Sequence, residues 1–445
     1  MRIAFTSVDE LGRVFERRAE PNTVHFEVQV PGAIDAGRLR RAVQNVMAAH
    51  PLSRARRRPS GSARRSWWEI DDQADLDPLE VRTGTIEAGT IEAERERLFA
   101  EPIALEHSPL IRVRLVQTPE RDVVMLGAHH ALFDGVSCLR LMRSLAAAYS
   151  AEPDPIPPVD PLTIRAATPP PSQSPDEDPP TTVPTRRSVR IARDSRLPGP
   201  GYGFALRVLD TEATTALSAA RQLGASVNDL LLAALFQPVA TWNRRHAAPT
   251  GRVTITMPLN ARPARYREEF LGNLSRIVSI GISDTEHSDS RQLLAAIVRQ
   301  TSAAKRCASP HAAGLAGAVL GAGWLPYPLR RAMLAAGQLA AGAVTDTTCL
   351  SNIGRVSDIF AFGSADNGHS GTAADRMWAS PPAPMPRGLS VGAATYRGRL
   401  HLTVRHRHTL LDGPAAEEFA TILVGHVHGL AAEIAAVAGA TGALS

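Results

Sequence analysis

The chain of 445 residues has 44% hydrophobic and 21% charged residues, an ordinary composition for a globular protein that excludes a disordered or fibrous one. Its net charge of +5 is modest and no basic helix with interleaved aromatic residues occurs, so we expect no nucleic-acid partner. Arginine supplies all but one of the 49 basic residues, a skew typical of coding bias. The length favours two folded units of roughly 200 residues each.

The cysteine content and the start of the chain indicate the compartment. Three cysteines, Cys138, Cys307 and Cys349, are odd in number and lack the spacing of metal ligands, which indicates free thiols and no metal site. Asp9 and Glu10 stand where a signal peptide needs an apolar core. The sequence therefore predicts a cytoplasmic protein.

In chain order, residues 23–30 alternate apolar and polar side chains, which predicts a half-buried strand. A helix follows from Asp35, a suitable N-cap, and stops at His50 before a proline. Residues 135–149 also have the apolar spacing of a helix. Between these helices we expect strands at 67–70, 110–116 and 123–127 and a helix at 91–99.

Residues 153–200 are dense in proline, serine, aspartate and arginine without an apolar period, which is typical of a linker. The pattern of strands and helices then resumes, so the sequence predicts an α/β fold with an N-terminal lobe at 1–152 and a C-terminal lobe at 201–445. In the second lobe we expect strands at 204–209, 253–257, 276–282, 388–396 and 400–405, and helices beginning near residues 211, 226 and 414.

The longest apolar stretch, residues 312–344, is interrupted by proline and arginine. Neither half has the roughly 20 residues that a membrane helix needs, so we expect no stable membrane insertion. Buried core helices are the preferred interpretation, and helices that line a lipid pocket are the alternative.

The motif that carries chemistry is the run His129-His130-Ala131-Leu132-Phe133-Asp134-Gly135, at the junction of a predicted strand and a predicted helix. Neutral imidazole can accept a proton from an attacking group near pH 7, which suits acyl transfer. Glycine after the aspartate lets the backbone turn tightly and approach a substrate. The structural alternative makes both histidines strand-end residues and the aspartate an N-cap.

This run matches residue for residue the HHxxxDG signature of a known superfamily of acyltransferases. The chain resembles that superfamily, which contains chloramphenicol acetyltransferase, nonribosomal peptide condensation domains, polyketide-associated acyltransferases and wax ester synthases. The resemblance implies two chloramphenicol-acetyltransferase-like lobes that form a pseudo-dimer with an active-site tunnel between them. It also implies that His130 is the catalytic residue in this tunnel and that His129, Asp134 and Gly135 support it.

One segment of the second lobe strengthens this resemblance. Residues 258–263, Pro-Leu-Asn-Ala-Arg-Pro, followed by Gly272 and Asn273, are similar to the superfamily segment whose arginine pairs with the motif aspartate. The resemblance implies an ion pair between Asp134 and Arg262 that holds the histidine loop in shape, since a guanidinium fork suits a carboxylate.

Two further segments are weaker site candidates. The run 351–355 resembles a loop that reaches the active site, where Ser351 or Asn352 would donate to an oxyanion or line the tunnel; a plain turn is the alternative. A second, imperfect copy of the motif runs from His408 to Gly413 and lacks the paired histidine. We interpret it as a pseudo-repeat of the same corner, with Asp412 as an N-cap.

Six arginines form a dense cluster in the first lobe next to two tryptophans: Arg54, Arg56, Arg57, Arg58, Arg64 and Arg65. A solvated loop is the default interpretation. The functional alternative is a docking patch for an acidic carrier protein or for the phosphates of coenzyme A.

The function implied by the resemblance is a free-standing, condensation-like acyltransferase of natural-product biosynthesis that forms amides. It would move an acyl or aminoacyl group from a phosphopantetheine thioester, on an acyl- or peptidyl-carrier protein or on coenzyme A, to a small-molecule amine. The thioester is then a co-substrate, and we expect no bound cofactor and a monomer. The alternatives are a coenzyme A-dependent O-acyltransferase that acts on an alcohol and an inactive, carrier-binding scaffold.

Overall fold

The computed structural model describes residues 1–14, 20–58, 66–83, 90–154, 156–163, 187–196, 201–211, 214–215, 217, 224–283, 290–306, 325–326, 328–330, 332–333, 345–357, 359–363 and 372–442. Most of the predicted linker and of the apolar stretch 312–344 lies outside these residues, as do Arg64, Arg65 and Cys307. Across the described part of the chain, no helix combines the length and the apolar character needed to cross a membrane.

Strands and helices alternate along the described chain. The elements before the predicted linker are β1 (Arg2–Ala4), α1 (Ser7–Val14), β2 (Thr23–Val30), α2 (Ala36–Ala49), β3 (Ala55–Arg58), β4 (Trp67–Ile70), β5 (Leu79–Arg82), α3 (Thr90–Ala100), β6 (Ile111–Gln117), β7 (Asp122–His129) and α4 (Gly135–Ser150). Those after it are β8 (Tyr202–Val208), α5 (Val227–Arg245), β9 (Val253–Asn260), β10 (Ser275–Ile282), α6 (Ser290–Arg306), β11 (Thr348–Val356), β12 (Ala361–Phe362), β13 (Thr372–Ala373), β14 (Arg376–Ser380), β15 (Leu389–Tyr396), β16 (Arg399–Arg407) and α7 (Gly413–Gly442).

Two large sheets organise these strands, so the predicted α/β class is confirmed. The first sheet has the order β14-β2-β7-β6-β5 and the second has the order β10-β9-β11-β15-β16-β8. Smaller sheets join β1, β4 and β3, and β12 with β13. In the first sheet only the β5–β6 pair is parallel, whereas β11 lies parallel to both β9 and β15 in the second.

The strand β14 crosses from the second half of the chain into the first sheet. It pairs antiparallel with β2, with Ser380 opposite His25. The larger hydrophobic core of the first sheet likewise includes Phe360, Phe362 and Tyr396. The division of the chain into lobes at residues 153–200 therefore stays a prediction, and at least one strand after that segment completes the first sheet.

Side-chain caps mark the starts of two helices, one at the expected cap Asp35 and one near residue 226. The Asp35 carboxylate accepts from the Arg38 backbone N–H at the start of α2, and His50 caps its end. Ser226 and Asp229 form a reciprocal capping box at the start of α5. Local side-chain chemistry therefore determines where these helices begin.

The prediction that β2 is half-buried was wrong. All eight of its residues are buried, including the polar face that carries His25 and Glu27. Phe99 of α3 and Phe204 of β8 cover this polar face, with ring centroids 4.9 and 5.0 Å from the His25 ring. Alternation identifies the two faces of a strand, but packing by distant segments decides whether the polar face meets water.

Candidate active site

The histidine motif lies at the corner where β7 ends and α4 begins. The backbone N–H groups of Leu132 and Phe133 both donate to the His129 carbonyl oxygen, at 3.1 and 3.0 Å, and turn the chain out of the strand. The Asp134 carboxylate accepts from the Ser137 backbone N–H at 2.9 Å and so caps α4. The N-cap role that the structural alternative gave to Asp134 is therefore present. The same carboxylate also forms an ion pair with Arg262.

The His130 side chain is held in one tautomer by the corner itself. Its Nδ1 atom lies 2.8 Å from the Phe133 carbonyl oxygen, which can only accept, so Nδ1 carries the proton and Nε2 keeps a lone pair. Two hydrogen bonds hold the His130 backbone. Its N–H donates to the Asn22 carbonyl oxygen at 2.7 Å, and its carbonyl oxygen accepts from the Asn273 side-chain amide at 2.6 Å. Burial lowers the pKa of His130, so its imidazole is neutral at pH 7.

His129 faces the interior instead. Its side chain is fully buried, and its Nδ1 accepts from the Ala131 backbone N–H at 3.0 Å. An accepting Nδ1 places the proton of neutral His129 on Nε2. The first histidine therefore supports the turn, and the second carries the accessible lone pair.

The ion pair between Asp134 and Arg262 is present and has two hydrogen bonds. Arg262 Nη1 and Nη2 donate to the two carboxylate oxygens at 2.7 and 2.8 Å, and both side chains are buried. Burial alone would raise the pKa of Asp134, but the attraction of Arg262 outweighs it and holds the pKa of that carboxyl below its usual value. The pair joins α4 of the first half to the segment after β9.

Ser137 extends this junction and was not identified from the sequence. Its hydroxyl accepts from the Gly272 N–H and from Arg262 Nη2, both at 3.0 Å, and lies 2.9 Å from the Gly272 carbonyl oxygen. The Leu274 N–H donates to the Asp134 carboxylate at 3.0 Å. A small polar residue in the first turn of the helix after the motif was the available signal.

A small cavity of about 40 Å³ opens beside His130 between the two sheets. Its described lining is Val24, His130, Gly135, Pro258, Ser275, Ser351, Ile353, Ala379, Ser380 and Pro381. The two sheets thus both contribute to the space in front of the imidazole. A through-going tunnel remains a prediction.

The segment 351–355 is part of a strand, and the prediction of a loop or turn was wrong. It belongs to β11, which pairs with β15 and carries a bulge between Asn352 and Arg355. Pairing with β15, far along the chain, extends a segment whose own composition favours a turn. Ser351 lines the cavity, whereas the Asn352 side-chain oxygen accepts from the Gly354 N–H at 2.8 Å within its own strand.

Gly135 contributes space and not conformational freedom. Positive φ angles occur at eight other described glycines, and Gly135 has no such angle, so this corner turns without the left-handed backbone that glycine favours. A Cβ atom at this position would lie 3.8 Å from Ile353, an ordinary contact. The missing side chain therefore leaves part of the cavity open.

The second copy of the motif forms a similar corner at the end of β16. The backbone N–H groups of Leu410 and Leu411 both donate to the Arg407 carbonyl oxygen, at 2.9 and 3.1 Å, and the Asp412 carboxylate accepts from the Ala415 N–H at 3.1 Å. The predicted capping role of Asp412 is confirmed. His408 lines a different cavity, of about 360 Å³.

The described part of the arginine cluster forms neither a solvated loop nor a free basic patch. Arg56, Arg57 and Arg58 lie on β3 and pair with carboxylates of Asp75, Glu106 and Glu69 respectively. Arg54 donates to the backbone carbonyl of Asp71 at 2.9 Å. Nearby acidic residues therefore neutralise the charge that the sequence presents as a run.

Comparison with known proteins agrees with this site. Residues 15–162, which contain the histidine motif, match the family model of the condensation domain. An uncharacterised protein of Mycobacterium tuberculosis is 31% identical over 448 residues, covering 94% of this chain and 97% of the relative. The malformin synthetase of Aspergillus niger is 33% identical over 135 residues, which are 30% of this chain and 3% of that synthetase.

Solved structures share the whole fold. The first condensation domain of the calcium-dependent antibiotic synthetase has a TM-score of 0.70 at 16% identity, covering 97% of both chains. The starter condensation domain of rhizomide synthetase has a TM-score of 0.70 at 13% identity, covering 97% of this chain and 94% of that chain. The chloramphenicol-acetyltransferase-like fold is thereby confirmed, and the match to the condensation-domain family covers residues 15–162.

Proposed function

We propose that this protein is a condensation-type acyltransferase that moves an acyl or aminoacyl group from a phosphopantetheine thioester to a small-molecule amine and forms an amide. The observation that carries the proposal is the His130 imidazole, which donates through Nδ1 to the Phe133 carbonyl and therefore has its Nε2 lone pair available beside the cavity. A neutral, oriented imidazole is the group that acyl transfer needs as a proton acceptor.

The proposed mechanism has one proton acceptor. The amine attacks the thioester carbonyl carbon and His130 Nε2 takes the proton that the nitrogen sheds. The carbon–sulfur bond then breaks, and the leaving thiolate takes that proton from His130 and departs as the thiol. Asp134 plays no direct part in this transfer, because its two oxygens are bonded to Arg262 and to the backbone of α4. Ser351 is the proposed donor to the developing oxyanion, since it lines the cavity.

The free-standing form is proposed by analogy with the mycobacterial relative. The mycobacterial relative is aligned over 97% of its own length, whereas the synthetase match covers 3% of a multidomain chain. The donor would then arrive on a separate carrier protein or on coenzyme A. A mutant of the rhizomide synthetase domain, a structural relative, was solved with C8-CoA and Leu-SNAC, which supports coenzyme A as a carrier of the donor.

The test is to offer the purified protein acyl-coenzyme A and acyl-carrier-protein donors, each with pooled amines and pooled alcohols, and to identify products by mass. Amide formation that depends on His130 supports the proposal. Ester formation alone assigns the O-acyltransferase alternative. Binding of the carrier protein without any product from either pool assigns the inactive scaffold.

A further inference from the structure

A hydrogen-bonded series of four side chains begins at the His130 cavity and runs along the polar face of β2. Ser380 lines the cavity, and its hydroxyl oxygen lies 3.1 Å from His25 Nδ1. The other ring nitrogen of His25 lies 3.2 Å from a Glu27 carboxylate oxygen. Arg95 donates to both oxygens of Glu27, at 2.6 and 2.9 Å. Three of these residues are fully buried, and Ser380 alone reaches the cavity lining.

The protonation of this series follows from its partners. Burial alone would raise the pKa of Glu27, but the attraction of Arg95 outweighs it and holds the pKa well below its usual range, so the side chain is a carboxylate that only accepts. His25 Nε2 must therefore carry the proton and donate it to Glu27. Burial lowers the pKa of His25 to about 4, so the ring is neutral and Nδ1 is free to accept from the Ser380 hydroxyl.

A hydroxyl, an imidazole that accepts from it and a carboxylate that orients the imidazole are the parts of a nucleophile triad. Buried ion pairs are weak evidence for stability, so the Glu27–Arg95 pair calls for another explanation. We propose, building on the thioester-binding function above, that Ser380 is a nucleophile that accepts the acyl group as an ester and that water then releases it as a carboxylic acid.

The chemistry is balanced without a further reactant. Ser380 Oγ attacks the thioester carbonyl carbon while its proton passes to His25 Nδ1. The carbon–sulfur bond then breaks, and the leaving thiolate takes that proton and departs as the thiol. Water then adds to the ester, gives a proton to His25, and the serine oxygen recovers it as the carbon–oxygen bond breaks. The net reaction is thioester plus water to thiol plus carboxylic acid. Burial lowers the pKa of His25 and makes it a weak base, so we expect this hydrolysis to be slow.

The experiment uses two probes on the full chain, a fluorophosphonate and octanoyl-coenzyme A, with the modified residue located by peptide mass mapping. Wild-type protein should be modified at Ser380 by both, and modification should fall at least about tenfold in Ser380→Ala. Ser390→Ala is the matched control, because this buried serine donates to the Pro381 carbonyl and has no histidine partner among the described residues. In Ser390→Ala, both probes should modify Ser380 to the same extent as in the wild type. Ser380→Cys keeps a nucleophile and replaces Ser380→Ala if that variant fails to fold.

The outcomes separate this proposal from the proposed function. Folded wild-type protein that the fluorophosphonate leaves unmodified at Ser380 overturns the nucleophile, whatever the natural thioester is. An octanoyl ester on Ser380 without amide or ester product from any acceptor supports the nucleophile and contradicts the transferase. His130→Ala separates the two reactions. If this variant still forms the octanoyl ester on Ser380 but no longer transfers the acyl group to an acceptor, the cavity holds two independent catalytic groups.

Discussion

The two strand-to-helix corners of this protein have nearly the same backbone and different surroundings. At each, two successive N–H groups donate to the carbonyl of the last strand residue, and an aspartate caps the following helix. Asp134 is also bonded to the buried Arg262, whereas Asp412 accepts from the backbone of Ala415 and Arg196. Among the described residues, the capping aspartate is therefore paired with a buried arginine at the first corner only.

The histidine in the second position of each motif copy, His130 or His408, also has different partners at the two corners. The carbonyl of Phe133 accepts from His130 and fixes its tautomer, whereas the equivalent carbonyl of Leu411 lies 3.0 Å from His406 Nδ1. His408 instead lies 3.8 Å from a Glu96 carboxylate oxygen. The first corner is the candidate active site, because His130 is hydrogen-bonded to a carbonyl of its own turn and lines the cavity between the sheets.

The largest expected effect is on stability at the first corner. Asp134→Ala or Arg262→Ala leaves a buried charge unpaired, and the free energy of unfolding should fall by about 3 to 5 kcal/mol. Asp412→Ala removes a cap and one hydrogen bond from the exposed Arg196 N–H, leaves no buried charge unpaired, and should cost about 0.5 to 2 kcal/mol. Urea unfolding measures both, and equal losses at the two corners would contradict the role assigned to the ion pair. The Asp134→Ala, Arg262→Ala double variant should lose less than the sum.

The next effect separates the corners in activity. His130→Ala should fold normally and lose at least about tenfold in turnover, and up to about ten-thousand-fold with an alcohol, because a hydroxyl needs its proton removed to attack. An amine already has a free lone pair, so its loss is smaller. His408→Ala should keep wild-type turnover. Steady-state rates test this, and the opposite pattern would move the active site to the second corner.

The pH profile gives a smaller, directional effect. Because burial lowers the pKa of His130 from its usual 6.5, its basic form is the major one at that pH. The rate kcat/KM should therefore stay high as pH falls to 6.5 and decline only below it, as the imidazole becomes protonated. Profiles between pH 5 and 8 measure this, with a pH-insensitive residual rate expected for His130→Ala. An acid limb centred above 6.5 would show that another group titrates.

The smallest expected effect on activity comes from the side chains that donate hydrogen bonds to the backbone carbonyls of His130 and His408. Asn273 donates to the His130 carbonyl, and Asn273→Ala should lower kcat on the order of fivefold with little change in KM, as expected for the loss of one hydrogen bond. Ser195 donates to the His408 carbonyl at the other corner, so Ser195→Ala is the matched control and should leave kcat unchanged. A change in KM alone would assign Asn273 to substrate binding.

Much of the local structure could be read from the sequence. Apolar periodicity located β2, β7 and α4, and the capping residues Asp35 and Ser226 marked helix starts, because these signals act within a few residues. The HHxxxDG run and its expected partner Arg262 came from the resemblance, and the pair is present. Ser137 was missed, because its one signal, a small polar residue in the first helical turn, does not point to a partner 135 residues away.

What the sequence by itself determined was the alternation of strands and helices, their caps and the motif at the first corner. Tertiary structure decided that the polar face of β2 is buried, that β14 joins the first sheet and that Ser380 meets His25 at the cavity. Periodicity reports which side chains share a face. Burial and hydrogen bonding depend on which distant segments cover that face, and His25 and Ser380 are separated by 355 residues.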